Sequence, residues 1–226
     1  MRTNYIVLLW LGLAAAAAAQ TQPADLGKNM QAIAQALGVS CDYCHVAERG
    51  SGKPEPNKDI ARAMMAMTRD INAKIQAAAA PATDIEQVQC VTCHRGVPVP
   101  RQLSEILLQT LKNQGAAAAI EQYRGLRKQF YGRQAYDFGE NTLLGLAQQI
   151  ASSRPSDSIA LLQLNLEFYP RSAASYAEIG FAYTRKLDDD SAIANLEKAL
   201  EIEPNNGIIQ GQLEQLKSYQ RARQRR

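Results

Sequence analysis

The chain has 226 residues, of which 46% are hydrophobic and 21% charged, and its formal net charge at neutral pH is +3. This length allows one large domain or two small ones, each with a hydrophobic core. The ordinary apolar content shows that the chain is not too polar to form such a core. The near balance of charges argues against a nucleic-acid partner, and we interpret the basic end RARQRR as a solvated helix end. Because alanine is abundant and long runs of alternating β-branched residues are absent, we expect an all-α fold.

The first twenty residues, MRTNYIVLLWLGLAAAAAAQ, have the order of an export signal. Arg2 precedes an apolar run over residues 5–13, and a polyalanine stretch follows with a cleavage site of the A-x-A type. We predict a signal peptide over residues 1–19, cut after Ala19, and a mature protein exported to the periplasm or beyond. The alternative is an uncleaved membrane anchor, since the apolar stretch is just long enough to span a bilayer.

Two pentads, CDYCH at 41–45 and CVTCH at 90–94, contain all four cysteines and both histidines of the chain. A four-cysteine zinc site does not require the histidine that follows each pair. A redox dithiol belongs in a βαβ context, which the sequence does not show. Covalent c-type haem needs all three positions, two cysteines for thioether bonds and a histidine for the iron. We therefore predict two covalently attached haems, held by Cys41, Cys44 and His45 and by Cys90, Cys93 and His94.

Each haem iron also needs an axial ligand opposite the histidine, and we expect it on the helix that precedes each pentad. One helix is predicted from about Asp25 to Gly38 and another from about Lys58 to Ala80. Both histidines are already used, so methionine is the expected ligand. Met30 is the candidate before the first pentad. Before the second, the predicted apolar face carries Met64 and Met67 together with Ile60 and Ile71, and Met65 lies about a quarter turn away.

The C-terminal part of the sequence carries a repeat. The segment SAIANLEKALEIEP has a degenerate counterpart, DSIALLQLNLEFYP, one period of about 34 residues earlier. This part resembles tetratricopeptide repeats, by positions such as Gly180, Ala192, Leu196 and Pro204; the alternative is a generic bundle of helical hairpins. We predict a signal peptide over 1–19, a dihaem cytochrome c domain over 20–101 and tetratricopeptide-like repeats over 102–226.

The stretch ARAMMAMTRDIN, followed by VTCHRGVPVP, resembles the cytochrome subunit of photosynthetic reaction centres over residues 25–101. The repeating unit of that family is a helix with an axial methionine, a turn and C-x-x-C-H. The resemblance implies that Met64 is the axial ligand of the second haem, that Met30 is that of the first, and that Met67 packs under the porphyrin. The family's subunit carries four haems in two pairs, whereas this chain has one pair.

The expected function is the transfer of single electrons by an exported dihaem cytochrome that is not an enzyme. Six-coordinate His/Met iron has no open site for a substrate. The expected partners are redox proteins, among them a membrane-bound complex such as a reaction centre, which dock at the haem edge and at the helical repeats. The alternatives are a haem-based redox or gas sensor and a dihaem enzyme of the peroxidase type.

Overall fold

The computed structural model describes residues 23–45, 52, 54–82 and 84–225. Every regular element in that part of the chain is a helix, so the all-α expectation is confirmed. No helix within these ranges is long and apolar enough to cross a membrane. The predicted signal peptide lies outside the described residues and stays a prediction.

The described residues up to 101 form three α-helices: α1 (Pro23–Leu37), α2 (Pro56–Ala79) and α3 (Cys90–His94). A 3-10 turn over Cys41–Tyr43 opens the first pentad, and α3 is the second pentad itself. Both helices predicted ahead of the pentads are present. The first ends at Leu37 and is followed by Gly38, whose φ of +66° is the left-handed conformation that commonly terminates a helix.

The C-terminal part consists of seven helices joined by short loops. They are α4 (Leu103–Gln114), α5 (Ala116–Phe130), α6 (Glu140–Ile150), α7 (Pro155–Phe168), α8 (Ala173–Arg185), α9 (Asp189–Ile202) and α10 (Gly207–Gln224). Each packs mainly against its neighbours in sequence. One buried apolar cluster joins α4 to α8, and a second joins α8 to α10.

The two parts differ sharply in how much apolar surface they bury. In the described residues up to 101, the buried hydrophobic side chains are Ala36 and Val97, and α2 has none. The C-terminal part, in contrast, buries leucines such as Leu107, Leu143 and Leu162 completely. The C-terminal helices therefore have a conventional core of side chains, while the N-terminal helices enclose cavities.

We expect Gly180→Ala to destabilise the fold, because a Cβ there would lie 2.8 Å from Leu196 Cγ and 3.1 Å from the Ala192 carbonyl oxygen. Overpacking of this kind costs about 1–3 kcal/mol. Gly145→Ala is the matched control, since it is also within a helix but has nothing within 4 Å of the added Cβ. There the gain in helix propensity, up to about 1 kcal/mol, should dominate. Urea unfolding measures both; equal stabilisation by the two substitutions would contradict the packing described.

Candidate haem-binding site

The first pentad lines an apolar cavity of about 320 Å³ between α1 and α2. Met30 and Leu37 of α1 line it together with Cys41, Cys44 and His45. Met30, Ile33 and Leu37 follow helical spacing and so share one face of α1. The cavity thus brings together all four residues that the sequence assigns to the first haem.

The second pentad contributes to a larger cavity of about 620 Å³. Cys90 lines it, with Val91 beside it, and Arg69 and Asn72 enter from α2. Cys93 and His94 are not among its lining residues. Ile33 and Met65 line both this cavity and the first one, so that they form a wall shared by the two.

The Nδ1 atoms of the two histidines face different partners. His94 Nδ1 lies 3.0 Å from the Val97 carbonyl oxygen and donates its N–H there, which leaves Nε2 as the metal-binding nitrogen. His45 Nδ1 lies 3.8 Å from Glu55 Oε1, and Lys58 Nζ lies 2.6 Å from the second oxygen of that carboxylate. One imidazole is therefore oriented by a neutral carbonyl, and the other is placed beside a carboxylate.

The predicted buried face of α2 is wrong. Ile60, Met64 and Met67 are 58%, 39% and 47% exposed. Partly buried instead is the side that carries Ala61, Met65, Thr68 and Asn72, which are spaced by four, three and four residues.

A polar anchor explains the orientation of α2. The Asn72 amide donates to the Val88 carbonyl oxygen at 2.9 Å, and the Val88 N–H donates to Asn72 Oδ1 at 2.8 Å. This paired contact turns the Asn72 side of α2 toward the segment that leads into the second pentad. Apolar periodicity does not predict that the Asn72 side is buried, because two of its four residues are polar.

The orientation of α2 separates its three methionines. Met65 lines both cavities, whereas Met64 and Met67 line neither of the two. Met65 is therefore the methionine that sequence reasoning placed outside the candidate face. The assignment of Met64 to the second haem stays a prediction.

Charge also differs between the two pentads. Asp42 lies within the first pentad, and the Ser40 hydroxyl donates to its carboxylate, which lowers the pKa of Asp42. In the second pentad the corresponding residue is Val91, and Arg95 follows His94, with its Nε donating to the Thr92 carbonyl oxygen at 3.3 Å. An acidic residue thus lies within the first pentad and a basic one follows the second, while Lys58 and Arg62 also line the first cavity.

The four cysteines, all within the described residues, form no disulfide. Across the described ranges, His, Cys, Asp and Glu side chains form no cluster of three or more that could hold a metal ion.

Residues 19–136 match the family model of the photosynthetic reaction centre cytochrome c subunit, just over half of the chain. The chain belongs to this family. A curated relative, cytochrome c-554 of Chloroflexus aurantiacus, is 38% identical over 68 residues, which are 30% of this chain and 16% of that protein. The chain thus covers about a sixth of the relative's length.

Membership places this protein among the c-type cytochromes, a class whose haem is covalently bound. The described residues fit such a group best at the first pentad, where the thiols of Cys41 and Cys44 and the imidazole of His45 all line one apolar cavity. The family match continues beyond residue 101, where we predicted the domain boundary, and includes α4 and α5. That boundary stays a prediction.

Proposed function

We propose that this cytochrome carries two c-type haems and passes single electrons between redox partners. Cys41, Cys44 and His45 would hold the first haem, and Cys90, Cys93 and His94 the second. The observation that carries this proposal is the pair of adjoining cavities, each lined by cysteine of one pentad, that share Ile33 and Met65 as a wall. Groups bound on either side of one layer of side chains are close enough for fast electron exchange.

The proposed sixth ligands are Met30 for the first haem and Met64 for the second. Met30 is supported by its place in the same cavity as the first pentad. Met64 rests on the resemblance to the family's helix–turn–pentad unit. Met64 is 39% exposed and so is accessible to a cofactor. Met65 is the competing ligand, because it lies in the cavity that Cys90 lines.

A bound haem supplies a reversible one-electron iron couple, and the chain's own residues would position and tune it. The Val97 carbonyl fixes the ring of His94 through Nδ1, and the apolar lining of the first cavity excludes water. Negative charge stabilises the oxidised state of a haem. Asp42 and the Glu55–Lys58 pair would tune the potential at the first pentad, and Arg95, next to His94, would tune it at the second.

The C-terminal helices would dock the partners in the manner of tetratricopeptide repeats. In support, α8 and α9 form a close pair in which Gly180 lies against Leu196 and Ala192. Stacked pairs of this kind present extended binding surfaces to proteins. Donor and acceptor would be redox proteins, one of them a membrane-bound complex such as a reaction centre. Residues 1–19 would direct the protein to the periplasm or beyond.

The haem content tests the core of this proposal. Protein made in a host that attaches c-type haem should have a mass two haems above the polypeptide mass of the mature chain. Replacing both cysteines of either pentad by alanine should remove one haem and leave the other. A native protein with a single haem, or with bound zinc in place of haem, would refute the dihaem assignment.

The methionine ligands are tested by substitution. Met64→His should keep the second iron six-coordinate and lower its potential, because imidazole stabilises ferric iron relative to thioether. Met67→Leu is the matched control and should leave both potentials and the thioether–iron absorption band unchanged. If Met65→Leu abolishes that band at one haem while Met64→Leu does not, Met65 is the ligand and the Met64 assignment fails.

Binding of carbon monoxide distinguishes an electron carrier from the two alternative functions, a haem-based sensor and a peroxidase-type enzyme. Carbon monoxide binds ferrous haem only where a coordination site is open or its ligand is easily displaced. We expect the visible spectrum of the reduced native protein to change little on addition of the gas. Avid binding at one haem would contradict the carrier and favour the other two functions.

A further inference from the structure

The end of the first haem's helix touches the turn after the second pentad. The Gly96 N–H donates to the Ala36 carbonyl oxygen at 2.8 Å, and α1 packs against α3 here. Ala36 and Val97, the buried hydrophobic residues of the described N-terminal part, are both at this contact. We call it the α1–Gly96 junction, formed by Ala36, Gly38, Gly96 and Val97.

Glycine is required at position 38 for two reasons. Its φ is +66°, and an added Cβ would overlap the Gly96 carbonyl oxygen and lie 2.9 Å from the Gly96 carbonyl carbon. The obstacle is backbone, which cannot swing aside as a side chain can. Any larger residue at 38 must push the Gly96 turn away from α1.

The same turn orients the second histidine. The Val97 N–H donates to the His94 carbonyl oxygen at 2.9 Å, and His94 Nδ1 donates to the Val97 carbonyl oxygen at 3.0 Å. Gly96, one residue before Val97, is the residue that Gly38 contacts. Displacement of Gly96 would therefore move the acceptor of the His94 N–H.

We propose that Gly38 is a positioning residue for the second haem, although it lies three residues before the first pentad. Through the α1–Gly96 junction it fixes the Val97 carbonyl, and through that carbonyl the orientation and basicity of His94. The junction thereby sets the placement of the two haem sites relative to each other. This inference rests on the proposed dihaem function.

The test is Gly38→Ala in the full haem-containing protein, with both potentials measured by spectroelectrochemistry. A weaker Nδ1–H···O=C bond makes imidazole a poorer donor to ferric iron. We therefore expect the potential of the second haem to rise and its His94 ring N–H to exchange faster by NMR, while the first haem keeps its potential. Met30→His, which lowers the first potential, assigns the two waves.

Gly132→Ala is the matched control. Its φ is +80°, so it bears the same backbone strain, but nothing lies within 4 Å of the added Cβ. It should shift neither potential. A Gly38→Ala shift confined to the first haem, or no shift in a protein with both haems bound, overturns the inference while the dihaem function stands. A native protein without two haems instead refutes the function itself.

If Gly38→Ala does not fold, amide hydrogen exchange on the unaltered protein still tests the proposal. The Gly96 N–H, bonded to Ala36 at the junction, should be among the amides of the N-terminal part that are most protected from hydrogen exchange. Exchange at the rate of an open turn would overturn the proposed junction.

Discussion

The hydrogen bond from the Gly96 N–H to the Ala36 carbonyl oxygen is the contact on which the N-terminal part depends. Ala36 accepts this bond and Val97 follows its donor, and these two are the hydrophobic residues buried in the described chain up to 101. One alanine and one valine side chain are far too small a core for about eighty residues. Other apolar side chains, such as Met30, Ile33 and Leu37, line a cavity, so a covalently held, largely apolar cofactor is a physically consistent filling for this part of a c-type cytochrome.

Two backbone-directed contacts then arrange the elements around the cavities. Gly38 lets α1 approach the turn after α3, and Asn72 ties α2 to Val88 just ahead of the second pentad. Both contacts end on residues that adjoin the second pentad. The segment over residues 88–96 therefore holds both α1 and α2 in place. The two cavities between these elements share Ile33 and Met65.

The C-terminal helices follow different rules. Their cores consist of close-packed leucine and alanine, and small residues such as Gly180 decide how near two helices come. The N-terminal part thus has cavities, and the C-terminal part has a conventional core of side chains. The family match, which runs from residue 19 to residue 136, includes α4 and α5 along with the cavities.

The sequence by itself determined the chemistry. Two pentads that use every cysteine and histidine indicate covalent haem, because the spacing of thiols and imidazole is a local, covalent requirement that needs no tertiary information. Helix positions and the face of α1 with Met30 were likewise predictable from periodicity. The tertiary structure decided the orientation of α2, since the Asn72 contact with Val88 outweighs apolar patterning and turns Met65 inward in place of Met64. It alone also brought Gly38 onto Gly96, because contacts between residues distant in sequence leave no periodic trace.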